Sequence, residues 1–220
     1  MLRYLRSEPV TLTLLIVYGA PLVVVGSLRL LQLSGLPIAL PELDRVLSDN
    51  LVPFVAHIVG VIGFNLLGAL QFSATLRLRR SRVHRIVGWL AVVSGMTVAF
   101  TGLWLSLFFP VSDTTAPTFT FFRMVASVVL ATFLYLGLLT AIARQFHAHR
   151  NWMIRAYALS MGTTTQGLLF VLWETVLGPL PQIVNAYVFA VGWTLTLAIA
   201  EFFFVTHKGQ SPQSKGVSNA

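Results

Sequence analysis

Two of the five histidines and three of the arginines lie in one short segment of the chain, residues 144–157, which reads RQFHAHRNWMIRAY. Imidazole nitrogens can ligate a haem iron or a metal ion, and guanidinium groups bind phosphate or carboxylate. His84 and His149 could together supply both axial ligands of one b-type haem. Alternatively, both histidines belong to basic connectors that hold anionic lipid headgroups at the membrane surface. The residue pattern leaves both interpretations open.

These two histidines belong to a larger inner polar cluster, whose members are expected near one end of the membrane-spanning segments. No firm metal ligand is assigned, since the HAH sequence lacks an acidic partner or a third close histidine. Haem b is the cofactor that His84 and His149 could bind. The predicted inner cluster contains His84, Arg85, His149, Arg150, Trp152, Arg155, Tyr157 and Glu201.

A second group of polar residues, the outer polar cluster, is expected toward the opposite end and contains His57, Arg123, Glu174 and Asn185. An ionisable side chain in lipid costs at least about 2.5–3.5 kcal/mol at mid-depth, so such residues usually face the bundle interior and pair. One interpretation is a polar pocket in which Glu174 neutralises Arg123 and His57 exchanges a proton. The other is a structural ion pair that stabilises the bundle.

Several familiar reaction types lack their residues in this chain. There are no cysteines, which excludes disulfides, thiolate metal sites, iron–sulfur clusters and cysteine nucleophiles. A GxxxxGK[ST] phosphate loop and an HExxH metal site are absent, and the seven acids are scattered. No catalytic residue is assigned; any enzymatic activity would be that of a membrane oxidoreductase.

The elements that must position these residues are membrane-spanning helices. Hydrophobic residues make up 56% of the chain and charged residues 10%, against about 25% in an ordinary soluble domain. Apolar runs of about 20 residues match the thickness of a bilayer's hydrocarbon core. The runs predict a single domain, residues 1–206, that is a bundle of six transmembrane helices over about 10–33, 51–76, 86–109, 119–143, 152–177 and 183–206, followed by a disordered cytoplasmic tail, 207–220.

The basic residues predict the orientation of this bundle. Counted by side, twelve Lys and Arg fall at the ends that share the termini and three at the opposite ends. By the positive-inside rule, both termini are cytoplasmic and the protein is a multi-pass protein of the bacterial cytoplasmic (inner) membrane. The net charge of +8 is thereby explained without a nucleic-acid partner.

Two segments carry a family resemblance: LLGALQFSATLRLRRSRVHRIVGWL and, about sixty residues later, HAHRNWMIRAYALS. They resemble the bacterial predicted-membrane-protein family catalogued as domain of unknown function twenty-three-oh-six, over roughly residues 47–201. The resemblance implies a multi-span inner-membrane protein and no established reaction. A looser likeness, in helix number and histidine placement, to transmembrane b-type cytochromes of the two-haem kind implies one haem at most, because His57 has no histidine at its own depth.

The function expected from the sequence is the binding of a small hydrophobic or anionic ligand, or of lipid, between the helices. Anionic headgroups at the cytoplasmic face are the expected lipid partners, and a homo-oligomer or another membrane partner stays open. The alternatives are a redox protein with one haem on His84 and His149, and a small-molecule transporter. Against the transporter, the two halves of the chain show no matching broken helices.

Overall fold

The computed structural model describes residues 8–40, 51–108 and 116–206 of the chain. Within these ranges the chain forms seven α-helices, followed by a π-helical segment. The helices are α1 (Glu8–Leu33), α2 (Leu51–Leu70), α3 (Ala74–Arg79), α4 (Ser81–Phe108), α5 (Ala116–Ile142), α6 (Phe146–Leu177) and α7 (Gln182–Ala200), and the π-helical segment is Glu201–Thr206.

Five of the described helical stretches are long and apolar enough to cross a membrane: Pro9–Leu33, Leu51–Leu70, Ser81–Phe108, Pro117–Ile142 and Val184–Val205. They correspond to α1, α2, α4, α5 and α7 with the segment that follows it. The expected fifth of six spans falls on α6, which is not among them. With 32 residues α6 is long enough, but arginines and histidines near its start and threonines at its centre lower its hydropathy.

Helix α6 lies at the centre of the bundle, packed against α7, α5, α1 and α2. The four consecutive residues 156–159 are all buried, so neighbouring helices surround this part of α6 on every side. A helix shielded from lipid in this way can carry polar side chains that meet other helices instead. This position explains why α6 is the least apolar of the long helices.

Glycines permit the close approach of helices around α6 and α4. At Gly95 of α4, an added Cβ would lie 2.8 Å from the Leu134 side chain and 3.0 Å from Phe64. At Gly68 of α2, it would lie 2.7 Å from the Tyr157 ring. Phe64, Leu134 and Tyr157 are themselves core residues, so both glycines face the centre of the bundle.

Several helix ends differ from the expected span boundaries. The second span was expected to reach residue 76, but α2 ends at Leu70 because Ser73 caps a separate helix: Leu76 N–H donates to Ser73 Oγ at 3.1 Å. The basic segment 144–157 is mostly helical, since α6 begins at Phe146 after a turn in which Arg144 has φ 58°. The expected tail, 207–220, lies outside the described residues.

Candidate functional site

A cavity of about 310 Å³ lies between α2, α4, α5, α6 and α7 and is called here the Arg123 cavity. Its volume falls at the lower end of the range of small-molecule sites, about 300–1,000 Å³. Most of the wall is apolar, with Phe119, Leu130, Leu159, Phe189 and Trp193 among its residues. Its polar members are His57, Arg123, Ser127, Ser160, Thr163 and Gln166. The cavity therefore brings together His57 and Arg123 of the predicted outer cluster, but not Glu174 or Asn185.

The His57 ring is held in a defined orientation. Its Nδ1 lies 2.9 Å from Thr101 Oγ1, and the Thr101 hydroxyl donates to Thr97 O at 2.5 Å. Because the hydroxyl proton is used on that carbonyl, His57 Nδ1–H is the donor in the first bond. In the neutral ring Nε2 is then the nitrogen without a proton.

Arg123 lies over the Phe119 ring, with Cζ 5.4 Å from the ring centroid. The expected ion pair between Arg123 and Glu174 is not present: within residues 8–40, 51–108 and 116–206, the one ion pair joins Arg155 to Glu201. Depth supplies the reason. Counted from the turn that joins the two helices, Arg123 lies 19 residues before the end of α5 and Glu174 28 residues beyond the start of α6, so the two differ in depth by about 13 Å. Glu174 is exposed near the end of its helix.

Gln166 contributes an unsatisfied acceptor to the cavity wall. Its Nε2 donates to Phe189 O at 2.9 Å, whereas its buried Oε1 has no hydrogen-bond partner. The side chain packs so closely on α7 that a Cβ at Gly192 would lie 2.5 Å from Gln166 Cγ. A buried acceptor without a partner is uncommon in proteins and calls for an explanation. Asn185, from the predicted outer cluster, likewise has a buried Oδ1 without a partner, but away from the cavity wall.

A second space of about 230 Å³, called here the side cleft, adjoins the Arg123 cavity. The two share Thr163, Gln166 and Phe189 in their walls, and the side cleft adds Gly167 and Phe170. Thr163 and Gly167 are both exposed on the surface of α6. The side cleft therefore opens on the outside of the bundle, between α6 and α7.

The inner cluster contains a bidentate ion pair. Arg155 Nε donates to Glu201 Oε2 at 2.8 Å and Arg155 Nη2 to Glu201 Oε1 at 2.7 Å. The guanidinium also lies over the Trp152 ring, 4.8 Å from its centroid. Arg150 Nη1 donates to Phe204 O at 3.2 Å. These contacts join the first turns of α6 to the π-helical segment.

His84 and His149 lie at the same end of the bundle, close enough to interact electrostatically. His149 Nδ1 donates to Gly137 O at 2.7 Å, which leaves its Nε2 as the free nitrogen. The Gln71 amide is satisfied when its nitrogen faces His84 and its oxygen accepts from Gly88 N–H. In that orientation the amide nitrogen donates to His84 Nδ1 at 3.1 Å. Neither histidine lines the Arg123 cavity or the side cleft. In the part of the chain that the structure describes, no three His, Asp or Glu residues form a metal-binding group.

Two further members of the inner cluster have separate surroundings. Tyr157 is buried, donates to Asn65 O at 3.2 Å and packs on Phe64 and Phe72, with ring centroids 6.0 and 5.3 Å away. Arg85 is exposed. The predicted inner cluster thus divides into an ion pair with its tryptophan, two histidines, a core tyrosine, and two arginines that contact none of these in an ion pair, Arg85 and Arg150.

Sequence reasoning missed four polar residues of the cavity wall, Ser127, Ser160, Thr163 and Gln166. The run TTTQ in the middle of a long helix, at 163–166, is the signal that could have revealed two of them. Polar residues at the centre of a span normally face a neighbouring helix or a cavity. For Ser127 and Ser160 no comparable signal exists, because single serines occur throughout the spans.

The long apolar helices are those of a multi-pass helical membrane protein. The chain belongs to the family described as predicted membrane protein (DUF2306), whose family model matches residues 54–204, more than half of the chain. Comparison with the curated proteins and with the solved structures gave no match.

Proposed function

We propose that this protein binds a small amphipathic molecule in the Arg123 cavity, within a six-span bundle in the bacterial cytoplasmic membrane. One observation carries the proposal: Arg123 lines an interhelical cavity without a carboxylate partner among the described residues. A guanidinium group removed from water is costly unless an anion or hydrogen-bond acceptors compensate it. A bound molecule would supply that compensation.

The other polar groups of the wall support the same function. Gln166 offers a buried amide oxygen without a hydrogen-bond partner and His57 adds an imidazole ring to the same wall, while the rest of the wall is largely apolar. A few convergent polar groups in a mainly apolar cavity are typical of small-molecule sites. A structural ion pair, the other interpretation of the outer cluster, would need a carboxylate that Glu174 does not provide.

The absence of cysteine allows a direct test. Ser160 lines the cavity, so Ser160→Cys places the only thiol of the chain in its wall. We expect a small neutral thiol reagent to modify this cysteine in the detergent-purified protein. Saturating decanoate or decanol should slow the modification several-fold, because a bound molecule occupies the same space.

Ser106→Cys is the matched control, since Ser106 is buried in α4 outside the cavity wall. Its thiol should react slowly with or without either probe. A thiol at 160 that is as unreactive as the thiol at 106 would contradict an accessible cavity. Modification that neither probe slows would contradict the binding function.

A second candidate function is the redox protein with one haem on His84 and His149. Two observations support it: the two histidines lie near enough to interact electrostatically, and the bond from His149 Nδ1 to Gly137 O fixes the orientation of the His149 ring and leaves Nε2 for a ligand. Protein expressed with added haem precursor should then show a Soret band that His84→Ala and His149→Ala each remove. A colourless protein would refute this function without affecting the cavity.

The same end of the bundle supports a role in holding anionic lipid headgroups at the cytoplasmic face. Arg77 lies close enough to both His84 and Arg150 for their charges to interact, and no described carboxylate pairs with Arg77 or Arg150. An anionic headgroup between them would reduce this repulsion. Arg77→Gln with Arg150→Gln should lower the phosphatidylglycerol retained after purification, and unchanged retention would refute the role.

A further inference from the structure

We infer that the ligand of the Arg123 cavity is a lipophilic monocarboxylic acid, which reaches Arg123 from the bilayer through the side cleft. This inference rests on the proposed binding function and specifies its ligand class and its route of entry. Four features support it: the charge of the cavity wall, the shape of the Arg123 guanidinium group, the volume of the cavity and the position of its opening.

Charge restricts the ligand to a monoanion. Arg123 is the one permanently charged side chain in the described cavity wall, and a neutral His57 ring adds no charge to it. A carboxylate beside Arg123 gives a neutral pair. A dianion such as a phosphate monoester would leave one negative charge uncompensated in an apolar wall, and an alcohol would leave the guanidinium charge uncompensated.

The guanidinium group itself favours a carboxylate. Its planar arrangement of N–H donors matches the two oxygens of a carboxylate, and such bidentate pairs are shorter and stronger than neutral hydrogen bonds. The same geometry occurs elsewhere in this chain, where Arg155 holds both oxygens of Glu201. At Arg123, the ligand would supply the carboxylate that no described side chain supplies.

The volume of the Arg123 cavity and the side cleft limits the length of the ligand's hydrocarbon chain. The cavity of about 310 Å³ has room for roughly ten water molecules, and the side cleft adds about 230 Å³. Apart from its few polar groups, this space is lined by aliphatic and aromatic side chains. A hydrocarbon chain of about ten carbons therefore fits behind the carboxylate, with its end in the side cleft.

The side cleft provides the route of entry. It opens at Thr163 and Gly167, near the middle of the 32-residue α6, where the surface of a membrane-spanning bundle meets hydrocarbon rather than water. An added Cβ at Gly167 would meet no atom within 4 Å. A larger side chain there can be accommodated without repacking the core, and it would stand in the opening.

The test measures how well three ten-carbon probes protect the thiol of Ser160→Cys: decanoate, decanol and decyl phosphate. We expect decanoate to protect at a concentration at least about tenfold lower than decanol, as the loss of a charge-assisted hydrogen bond predicts. Arg123→Gln should abolish this preference and Arg123→Lys should retain part of it. Arg85→Gln, at an exposed arginine outside the cavity wall, should leave it unchanged.

The outcomes separate the inference from the function on which it rests. Equal protection by decanol and decanoate would overturn the ligand class while leaving the binding function intact. Stronger protection by decyl phosphate would also overturn it, in favour of a dianion. If no probe protects the thiol, the binding function itself fails. Gel filtration of the Arg123 variants should check that each one is folded. If Arg123→Gln does not fold, Arg123→Lys is used to test the preference for decanoate.

The route of entry has its own variant. In lipid nanodiscs, Gly167→Leu should slow the onset of protection by decanoate at least about fivefold, with a smaller effect on protection at equilibrium, because it narrows the opening but leaves the surroundings of Arg123 unchanged. Val93→Leu, on the exposed face of α4 away from the side cleft, is the matched control. An onset as fast in Gly167→Leu as in the control would overturn entry through the side cleft.

Discussion

Arg155 and Glu201 form a bidentate ion pair, with donor–acceptor distances of 2.8 and 2.7 Å, between α6 and the first residue of the π-helical segment. The two residues are 46 positions apart in sequence, so the pair joins the two ends of the last helical hairpin. Trp152 lies under the guanidinium and limits its rotation. The pair is only partly buried, with side chains 24% and 44% exposed, so solvent weakens the attraction between the charges.

This ion pair should contribute a modest stabilisation. A double-mutant cycle with Arg155→Gln and Glu201→Gln should give a coupling energy of about 0.5–1 kcal/mol, since partly exposed pairs are screened even in bidentate geometry. Thermal unfolding of the four proteins in detergent measures it. Strictly additive effects would show that the two charges do not stabilise each other.

Trp152, Arg155 and Glu201 of the predicted inner cluster contact one another, although the sequence did not predict how they pair. His84 and His149 lie near the starts of α4 and α6 and interact electrostatically. The expected pairing of Arg123 with Glu174 was wrong, because the sequence pattern placed both residues at one depth although they differ by about two to three helical turns. The position of Gln166 in the cavity wall could not be predicted from the sequence either. A helix that is buried on several sides has no single apolar face, so the sequence does not indicate which of its residues face a given neighbour.

Gly68 should tolerate no side chain. An added Cβ would lie 2.7 Å from the Tyr157 ring, which is buried between Phe64 and Phe72 and cannot move freely. Gly68→Ala should therefore destabilise the protein by about 1–3 kcal/mol through overpacking. Gly167→Ala is the matched control, because nothing lies within 4 Å of the new Cβ. Equal thermal stability of the two variants would contradict the close helix contact.

The turn between α5 and α6 stores backbone strain at Arg144, whose φ of 58° is unfavourable for a residue with a Cβ. Gln145 N–H donates to Thr140 O and Arg144 N–H to Ala141 O, the pattern of a helix C-terminus that favours glycine. Arg144→Gly should raise stability by about 1 kcal/mol. Arg144→Ala removes the same side chain without relieving the backbone, so it should not. If both variants gained the same stability, the gain would come from removing the arginine charge and not from relieving backbone strain.

Membrane orientation can be tested with single cysteines in this cysteine-free chain. Arg79 and Glu174 are exposed near opposite ends of the bundle. By the positive-inside rule, a thiol introduced by Arg79→Cys should react with a membrane-impermeant maleimide only after the cytoplasmic side is opened. A thiol introduced by Glu174→Cys should react in intact cells. The reverse pattern would invert the proposed topology.

The most direct prediction for the Arg123 cavity is that a carboxylate built into its wall should replace the ligand. Gln166→Glu places an acid in the same cavity as Arg123, at a side chain whose oxygen already lacks a partner. An internal ion pair would then neutralise the guanidinium, and its attraction for an external carboxylate would fall.

The preference for decanoate over decanol should accordingly fall by about tenfold or more in Gln166→Glu, whereas protection by decanol should change little. Gln166→Met removes the amide without adding charge and should keep the preference. Both variants lose the bond from Gln166 Nε2 to Phe189 O, so any general effect of that loss appears equally in each. If Gln166→Glu still prefers decanoate as strongly as Gln166→Met does, the guanidinium of Arg123 does not select the anion.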